Sequence, residues 1–253
     1  MSILINVDSK IKESLYKQVV QQIIDLVSSG ALNPGGMDLN ALEQVCEKES
    51  PAFIYTIPNF HNPTGITTDQ KHREKLIHIC ENYRVPLAED GFEEEMKYFG
   101  RVALPVKSID RRGVVIYLGT FSKILFPGLR IGWIAADREC IQRLVPVQRS
   151  TVLAGNHLDQ AALEMFCRAG FYDMHVKKMH RTYRKRMNTA ITAIKTYFPG
   201  DNVSWTVPAG GYVIWVRRTE KNQSETEIIS RIKRAGVAVT PGRFHFFGAA
   251  LSS

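Results

Sequence analysis

Apolar residues recur along this chain with two different periods, and the places where the period changes mark out its elements. From Glu13 to Ser29, Leu15, Val19, Ile23, Leu26 and Val27 fall at helical spacing, and Gly30 and Pro34 stop the helix. Asp38 to Lys48 reads as a second helix with Leu39, Leu42 and Val45 on one side, and Ala52 to Ile57 follows as a buried strand. Thr67 with Gln70 three residues later forms a capping box, which opens a helix that buries Leu76, Ile77 and Cys80 and ends near Asn82. A crossover helix of this kind feeds a parallel strand, supplied by Val85 to Ala88. Val114 to Thr120 and Ile131 to Ala136 are two further strands. Helices are predicted from Asp137 onward, over Asn156 to Ala169 with Asn156 and Asp159 suited to its first turn, and over Phe171 to Phe198. A strand over Val213 to Val216, a helix over Glu225 to Ala235 and a strand over Gly236 to Thr240 complete an α+β segment.

The chemistry concentrates where strands end. Thr120-Phe121-Ser122-Lys123-Ile124-Leu125-Phe126-Pro127-Gly128-Leu129-Arg130-Ile131-Gly132-Trp133 joins two predicted strands, with a lysine just past the first and an arginine just before the second. The carboxyl ends of strands are where α/β sheets keep their ligands. Two hydroxyls, a lysine and an arginine can hold one dianionic phosphate beside one amine, and such an amine suits Schiff-base chemistry with an aldehyde. A tight turn, Pro58 to Gly65, follows the strand at residues 52–57, marked by Asn62-Pro63 and Thr64-Gly65. Glu89-Asp90-Gly91-Phe92-Glu93-Glu94-Glu95 follows the strand at residues 85–88, and on its own reads as a solvated acidic turn.

The pattern S/T-x-S-K-x-x-x-P-G-L-R-x-G-W of residues 120–133 resembles the pyridoxal-phosphate lysine loop of class I aminotransferases of fold type I, and especially of their MocR-type regulator relatives. The resemblance implies an α/β fold: part of the large domain, a mostly parallel sheet between helices, plus part of an α+β small domain. It implies pyridoxal 5'-phosphate as cofactor, held by Lys123 as an internal aldimine, with Thr120, Ser122 and Arg130 on the phosphate. Asn62, in Asn62-Pro63-Thr64-Gly65, matches the asparagine that hydrogen-bonds the cofactor's 3-hydroxyl. Asp90 matches the aspartate that pairs with the protonated ring nitrogen and keeps the ring an electron sink. Phe92 stands where MocR-type sequences usually carry a tyrosine that reaches the 3-hydroxyl, so one hydrogen bond of about 0.5–1.5 kcal/mol is expected to be missing. Pro208-Ala209-Gly210-Gly211-Tyr212 resembles the family's turn into the small domain, and Pro241-Gly242-Arg243-Phe244 the loop near its end.

Leu15-Tyr16-Lys17-Gln18-Val19 through Gly30-Ala31-Leu32-Asn33-Pro34-Gly35 resembles the first helix of a GntR-type winged-helix DNA-binding domain, but the recognition helix and wing do not follow. The domains implied are residues 1–35, the start of such a winged helix; 36–170, a partial large domain; and 171–253, a linking helix and partial small domain. In the family sheet, given the spatial order 3-2-4-5-7-6-1, the strands present correspond to 4, 5, 6 and 7, which leaves both sheet edges open. Strand 1 with its phosphate-sharing helix start, the aromatic that stacks on the ring and the arginine that clamps a substrate carboxylate are not matched. The expectation is site chemistry retained in outline with poor catalysis. DNA binding is expected of full-length relatives and not of this chain, which lacks the element that enters the major groove. The family also implies a homodimer and an amino acid or other amino compound as substrate or effector.

Composition narrows this little further. The 253 residues, 44% of them apolar, suffice for a real core in one or two domains. No run of eighteen apolar residues exists and Met1 to Asp8 lacks a charged, cleavable leader, so a cytoplasmic protein without a membrane partner is expected. Cys46, Cys80, Cys140 and Cys167 are far apart, which favours buried reduced thiols; the seven histidines are scattered, and no metal is expected. The net charge of +8 suits a phosphate ligand and nucleic acid alike. The densest basic run, His175 to Arg186, reads as the solvated face of a helix. Three functions stay open: a MocR-derived cofactor-binding protein, a plain class I aminotransferase, and a non-catalytic fragment.

Overall fold

The computed structural model describes residues 3–5, 36–101, 103–152, 155–198, 202–218 and 224–245. The predicted helix over Glu13 to Ser29, and with it the winged-helix likeness, lies outside them. In chain order the elements are β1 (Ile3–Ile5), α1 (Leu39–Lys48), β2 (Phe53–Thr56), α2 (Gln70–Tyr83), β3 (Leu87–Asp90), β4 (Val115–Thr120), β5 (Gly132–Ala135), α3 (Arg138–Val152), α4 (His157–Arg168), α5 (Phe171–Tyr197), β6 (Val203–Trp205), β7 (Val216–Arg218) and α6 (Glu225–Arg234).

Local chemistry explains most boundaries. Asp38 caps α1, its carboxylate accepting the N–H groups of Asn40 and Ala41 at 3.0 and 3.1 Å, and the helix buries Leu39, Leu42 and Cys46, with Val45 only half-buried. Asp69 caps α2, accepting the His72 N–H at 2.8 Å, in place of the expected Thr67. The Thr67 hydroxyl is engaged elsewhere, accepting the Phe60 N–H at 3.2 Å, so the next residue able to cap takes over. Ser224 and Glu227 form a reciprocal capping box on α6.

The main sheet has the order β1-β2-β3-β4-β5, with β2, β3 and β4 parallel and the flanking β1 and β5 antiparallel. This corrects two expectations. The strands matched to family positions 4, 5, 6 and 7 lie in that sequence, not as 4-5-7-6, because residues 121–131 return the chain directly beside β4: Thr120 pairs with Gly132, and the Phe121 N–H reaches Ile131 O at 3.1 Å. The β2 edge is not open either, since β1 pairs with it in the register Ile3–Tyr55, Leu4–Ile54, Ile5–Phe53.

Helices α1 and α2 cover one face of the sheet. Ile54, Leu87 and Val115 are fully buried there against Leu42, Leu76, Ile79 and Cys80, each such side chain contributing about 1.5–3 kcal/mol by leaving water. The other face carries Phe53, Tyr55, Ala88, Asp90, Leu118 and Thr120, all half-buried. A second cluster forms where α5 lays Met187 and Ile191 against Met96, Tyr98 and Ile124. This fixes α5 below the segments that follow β3 and β4: His175 Nε2 donates to Ile124 O at 2.7 Å, the Tyr172 hydroxyl binds the Glu95 carboxylate and His180 Nε2 binds Glu95 O. The basic residues Lys177, Lys178, Arg181, Arg184, Lys185 and Arg186 are exposed, Arg184 lying over the Phe99 ring and Arg186 over the Tyr183 ring.

The C-terminal part departs most from expectation. The strand predicted over Val213 to Val216 forms at Val216–Arg218 and pairs antiparallel with the unpredicted β6, after Trp215 has already bonded Thr206 through N–H and C=O at 3.0 and 2.9 Å. Gly236 to Thr240 forms no strand, and Val237 and Val239 are about half exposed, with no neighbouring strand among the described residues. All four cysteines are free; Cys46 and Cys80 are buried, but Cys140 is only partly so and Cys167 is exposed, because α4 buries none of its side chains. Among the described residues no helix is long and apolar enough to cross a membrane.

Candidate functional site

Parallel pairing makes β2, β3 and β4 end at one edge, and their last residues with the segments that follow carry every site residue singled out from the sequence. Asp90 is the last residue of β3 and lies opposite Leu118 of β4. Alternation along a strand puts Asp90, Leu118 and Thr120 on the same face. Two donors orient the Asp90 carboxylate: the Tyr55 hydroxyl of β2 reaches Oδ2 at 2.6 Å, and the Phe92 N–H reaches Oδ1 at 3.2 Å. Burial pushes this carboxyl above its ordinary value, while both hydrogen bonds work the other way by stabilising the charged form.

The turn after β2 is held from inside. Asn62-Pro63 is a cis peptide, Phe60 has a left-handed backbone at φ 52°, and Gly65 sits at φ +69° with Pro208 and the Val213 carbonyl so near that a Cβ would meet them at 2.8 and 2.9 Å. His61 is buried, bonded through Nδ1 to the Thr64 hydroxyl at 2.9 Å, and held neutral by burial, which pulls its pKa down to about 3. Asn62 is the exposed residue among buried neighbours, and its side chain has no hydrogen-bond partner among the described residues. The base of the turn rests on Arg73 of α2, only 2% exposed, whose guanidinium bonds Thr68 O and Oγ1, Pro58 O, Asn59 Oδ1 and Leu104 O. Asn59 then donates to Glu94 Oε1 at 3.1 Å, and Glu94 Oε2 accepts the Tyr117 hydroxyl at 2.8 Å, so the Asn62 turn and the segment after Asp90 are tied together.

That acidic segment is not a solvated turn. Glu89 is fully buried and accepts the N–H groups of Val106 and Lys107, both at 2.7 Å; burial pushes it up to about 7. Glu93 is 4% exposed, and burial likewise pushes it up to about 7, opposed first by the Tyr212 N–H at 3.1 Å and then by the positive charge of Lys123, and reinforced by the negative charge of Asp90. Glu93 therefore lies within electrostatic reach of both. Gly211, at φ +72°, lets the 208–212 turn close on this carboxylate: a Cβ there would meet Glu93 Oε2 at 2.5 Å and Phe60 Cβ at 2.6 Å.

Beyond β4, the Thr120 hydroxyl donates to Ile131 O at 3.3 Å and accepts the Ser122 N–H at 3.1 Å. Ser122 is half-buried and Lys123 exposed, and the Tyr212 hydroxyl braces the Lys123 backbone carbonyl at 3.0 Å. After a 3-10 turn over Pro127–Leu129, Arg130 adopts a left-handed backbone at φ 52° and is exposed. Neither Lys123 nor Arg130 has an ion-pair partner among the described residues.

Asp90 and Thr120 thus sit at adjacent strand ends, and the loops that follow β2, β3 and β4 carry Asn62, Phe92, Ser122, Lys123 and Arg130, of which Asn62, Lys123 and Arg130 are exposed. A cavity of about 650 Å³ nearby is a different place: it takes in Phe92 and Thr120 but is walled by Tyr117, Gly119, Trp133 and Ala135, which alternation puts on the face away from Asp90. Tyr55, Glu93, Asn59 and Arg73 escaped sequence reading because their roles depend on strand register and on packing between distant segments. The one available signal was the tyrosine in the strand just before the Asn62 turn.

The family model for class I and II aminotransferases matches residues 19–249. The chain is 36% identical over 220 residues to aromatic-amino-acid aminotransferase 1 of Thermococcus litoralis, covering 85% of this chain and 52% of that protein. It is 33% identical over 190 residues to the uncharacterized HTH-type transcriptional regulator YisV of Bacillus subtilis, covering 75% of this chain and 39% of the regulator. The fold is similar to that of kynurenine aminotransferase from Pyrococcus horikoshii, solved in complex with PMP, with a TM-score of 0.79 at 31% identity over 85% of this chain and 54% of that one. The chain spans about half the length of these aminotransferases. The family match over residues 19–249, together with 36% identity to the Thermococcus enzyme over 85% of this sequence, places the chain in the class I and II aminotransferase family.

Proposed function

We propose that this chain binds pyridoxal 5'-phosphate at the carboxyl edge of β2, β3 and β4, as an aminotransferase-fold protein related to MocR-type regulators. The observation that carries the reading is the register of β3 and β4, which sets Asp90 and Thr120 on one face at adjacent strand ends, with Lys123 just beyond. The donor set fits the group: Lys123 and Arg130, without ion-pair partners among the described residues, suit with the Ser122 hydroxyl a phosphate and an aldehyde, and an oriented, part-buried carboxylate suits a protonated ring nitrogen.

In this reading Lys123 Nζ would be the point of attachment and Asp90 would hold the ring nitrogen. The Asn62 amide would hold the ring's hydroxyl, and Phe92 would add no hydrogen bond to it. Ser122 and Arg130 would bind the phosphate, with Thr120, whose hydroxyl proton goes to Ile131 O, holding the Ser122 N–H. The bound cofactor supplies an electron-accepting ring. Glu93, buried and within reach of the charges of Lys123 and Asp90, would keep a proton near the site.

The similarity to YisV supports kinship with HTH-type transcriptional regulators, with DNA contact left to the full-length relatives. The similarity to the Thermococcus enzyme supports the second reading, an aminotransferase that moves an amino group between an amino acid and a 2-oxo acid. We place the protein in the cytoplasm as a homodimer; a monomer by light scattering at high concentration would remove the dimer. Incubation with pyridoxal phosphate tests the main reading. A visible absorption band that is absent in Lys123→Ala supports it, whereas no band in fresh protein favours a non-catalytic fragment.

A further inference from the structure

The contact between Tyr55 and Asp90 reaches further than burial requires. Tyr55 is the third residue of β2 and pairs with Ala88, two residues short of Asp90 on β3. Both side chains leave the sheet on the same face, and the phenol spans the diagonal to put its oxygen 2.6 Å from Asp90 Oδ2. A separation of 2.5–2.7 Å is that of a hydroxyl donating to a charged carboxylate. The second oxygen, Oδ1, takes the Phe92 N–H from its own turn. One donor on each oxygen fixes the plane of the carboxylate and leaves each oxygen a lone pair for a further donor.

We infer that Tyr55 is a positioning residue of the cofactor site, its hydroxyl holding Asp90 ionised and aimed so that Asp90 can keep the ring nitrogen of pyridoxal phosphate protonated. This rests on the cofactor reading above. Tyr55 acts through Asp90 and touches no reacting atom. Burial works against the charged form of Asp90, and the Tyr55 hydroxyl is the larger of the two hydrogen-bonding effects that resist it. Glu93 is the neighbouring acid that feels the charge of Asp90, so its own titration is followed alongside.

The test uses Tyr55→Phe, which removes one oxygen and keeps the ring. In the cofactor-free chain, the Asp90 carboxyl carbon is followed by NMR as pH is varied; in the loaded chain, pyridoxal phosphate labelled with nitrogen-15 reports ring protonation, and its dissociation constant is measured. The expected result is an Asp90 acid dissociation constant lowered about tenfold, a ring-nitrogen signal moved toward neutral pyridine, and cofactor binding weakened about tenfold. An unchanged Asp90 midpoint overturns the inference. So does a shifted midpoint with unchanged ring nitrogen and affinity, which would make the hydroxyl a structural contact only. Failure of the unmutated chain to bind the cofactor at Lys123 removes the underlying reading, and with it the inference; the cofactor-free titration still shows whether the hydrogen bond exists, so the two failures are told apart.

Discussion

Arg73 offers the sharpest test of how the site is held together. It is a charged side chain 2% exposed and without an ion-pair partner among the described residues; its guanidinium meets a ring of oxygens: Thr68 O and Oγ1 at 3.2 and 3.1 Å, Pro58 O at 3.2 Å, Asn59 Oδ1 at 2.7 Å, and Leu104 O. Replacing it with methionine keeps most of the volume and removes every donor. Pro58 O retains the Thr68 N–H at 2.9 Å, so the loss falls on Leu104 O, Asn59 Oδ1 and Thr68 O. A buried acceptor left without a donor costs about 1–3 kcal/mol. Part of that sum is offset because the variant no longer buries a charge. The net expectation is a destabilisation of about 3 kcal/mol, with the melting temperature about 6–12 °C lower for a chain of this size.

Urea unfolding of Arg73→Met, followed by circular dichroism, measures this directly, provided the denaturant slope is unchanged. Arg73→Lys restores the charge without the fork and should recover less than half of the loss. The same variant should weaken cofactor binding, since Asn59 links the Asn62 turn to Glu94 and Tyr117. Stability of Arg73→Met within about 0.5 kcal/mol of the parent would refute the reasoning and show that an apolar side chain serves as well there.

Three further outcomes follow from the same structure. Glu93, raised by burial from an ordinary 4.5 to about 7, keeps its proton in the folded chain between those values while the unfolded chain has lost it; its contribution to stability is therefore present below about 4.5 and lost as pH rises toward 7. Relative to Glu93→Gln, the parent should lose about 3 kcal/mol of stability between pH 5 and pH 8, and parallel pH profiles would contradict this. The Tyr98 hydroxyl is buried without a hydrogen-bond partner among the described residues, so Tyr98→Phe should unfold at the same urea concentration or a higher one; a loss above about 1 kcal/mol would expose an unrecognised partner. Gly211→Ala needs a left-handed backbone and drives a methyl into Glu93, so a loss of about 2 kcal/mol or more is expected in thermal melts, together with weakened cofactor binding; an unperturbed variant would mean that the 208–212 turn does not seat on the acidic segment.

Much of the large-domain sheet could be read from sequence because its signals are local. Asp38 announces a helix start by its own side chain, the apolar spacing of Leu76, Ile77 and Cys80 gives the inner face of α2, and the Lys123 loop carries ten or so constrained positions in one stretch. What escaped was whatever depends on which segments become neighbours. Thr67 and Asp69 are both good caps, and only the Phe60 N–H decides between them. The side-by-side order of β4 and β5 follows from how residues 121–131 close, and Gly236 to Thr240 has strand composition but no strand to pair with among the described residues. Glu89 and Glu93 looked like solvated charges because nothing within the run shows that the backbone N–H groups of Val106, Lys107 and Tyr212 lie over them. Tyr55 was passed over for the same reason: its partner lies 35 positions away and is reached only through strand register.

Borohydride reduction of the chain after incubation with pyridoxal phosphate, followed by peptide mass mapping, tests the central claim most directly. The account predicts one phosphopyridoxyl adduct, on the peptide that holds Lys123, lost in Lys123→Ala and reduced in Asp90→Asn. Adducts spread over the exposed lysines of α5, with the Lys123 peptide unmodified, would contradict it.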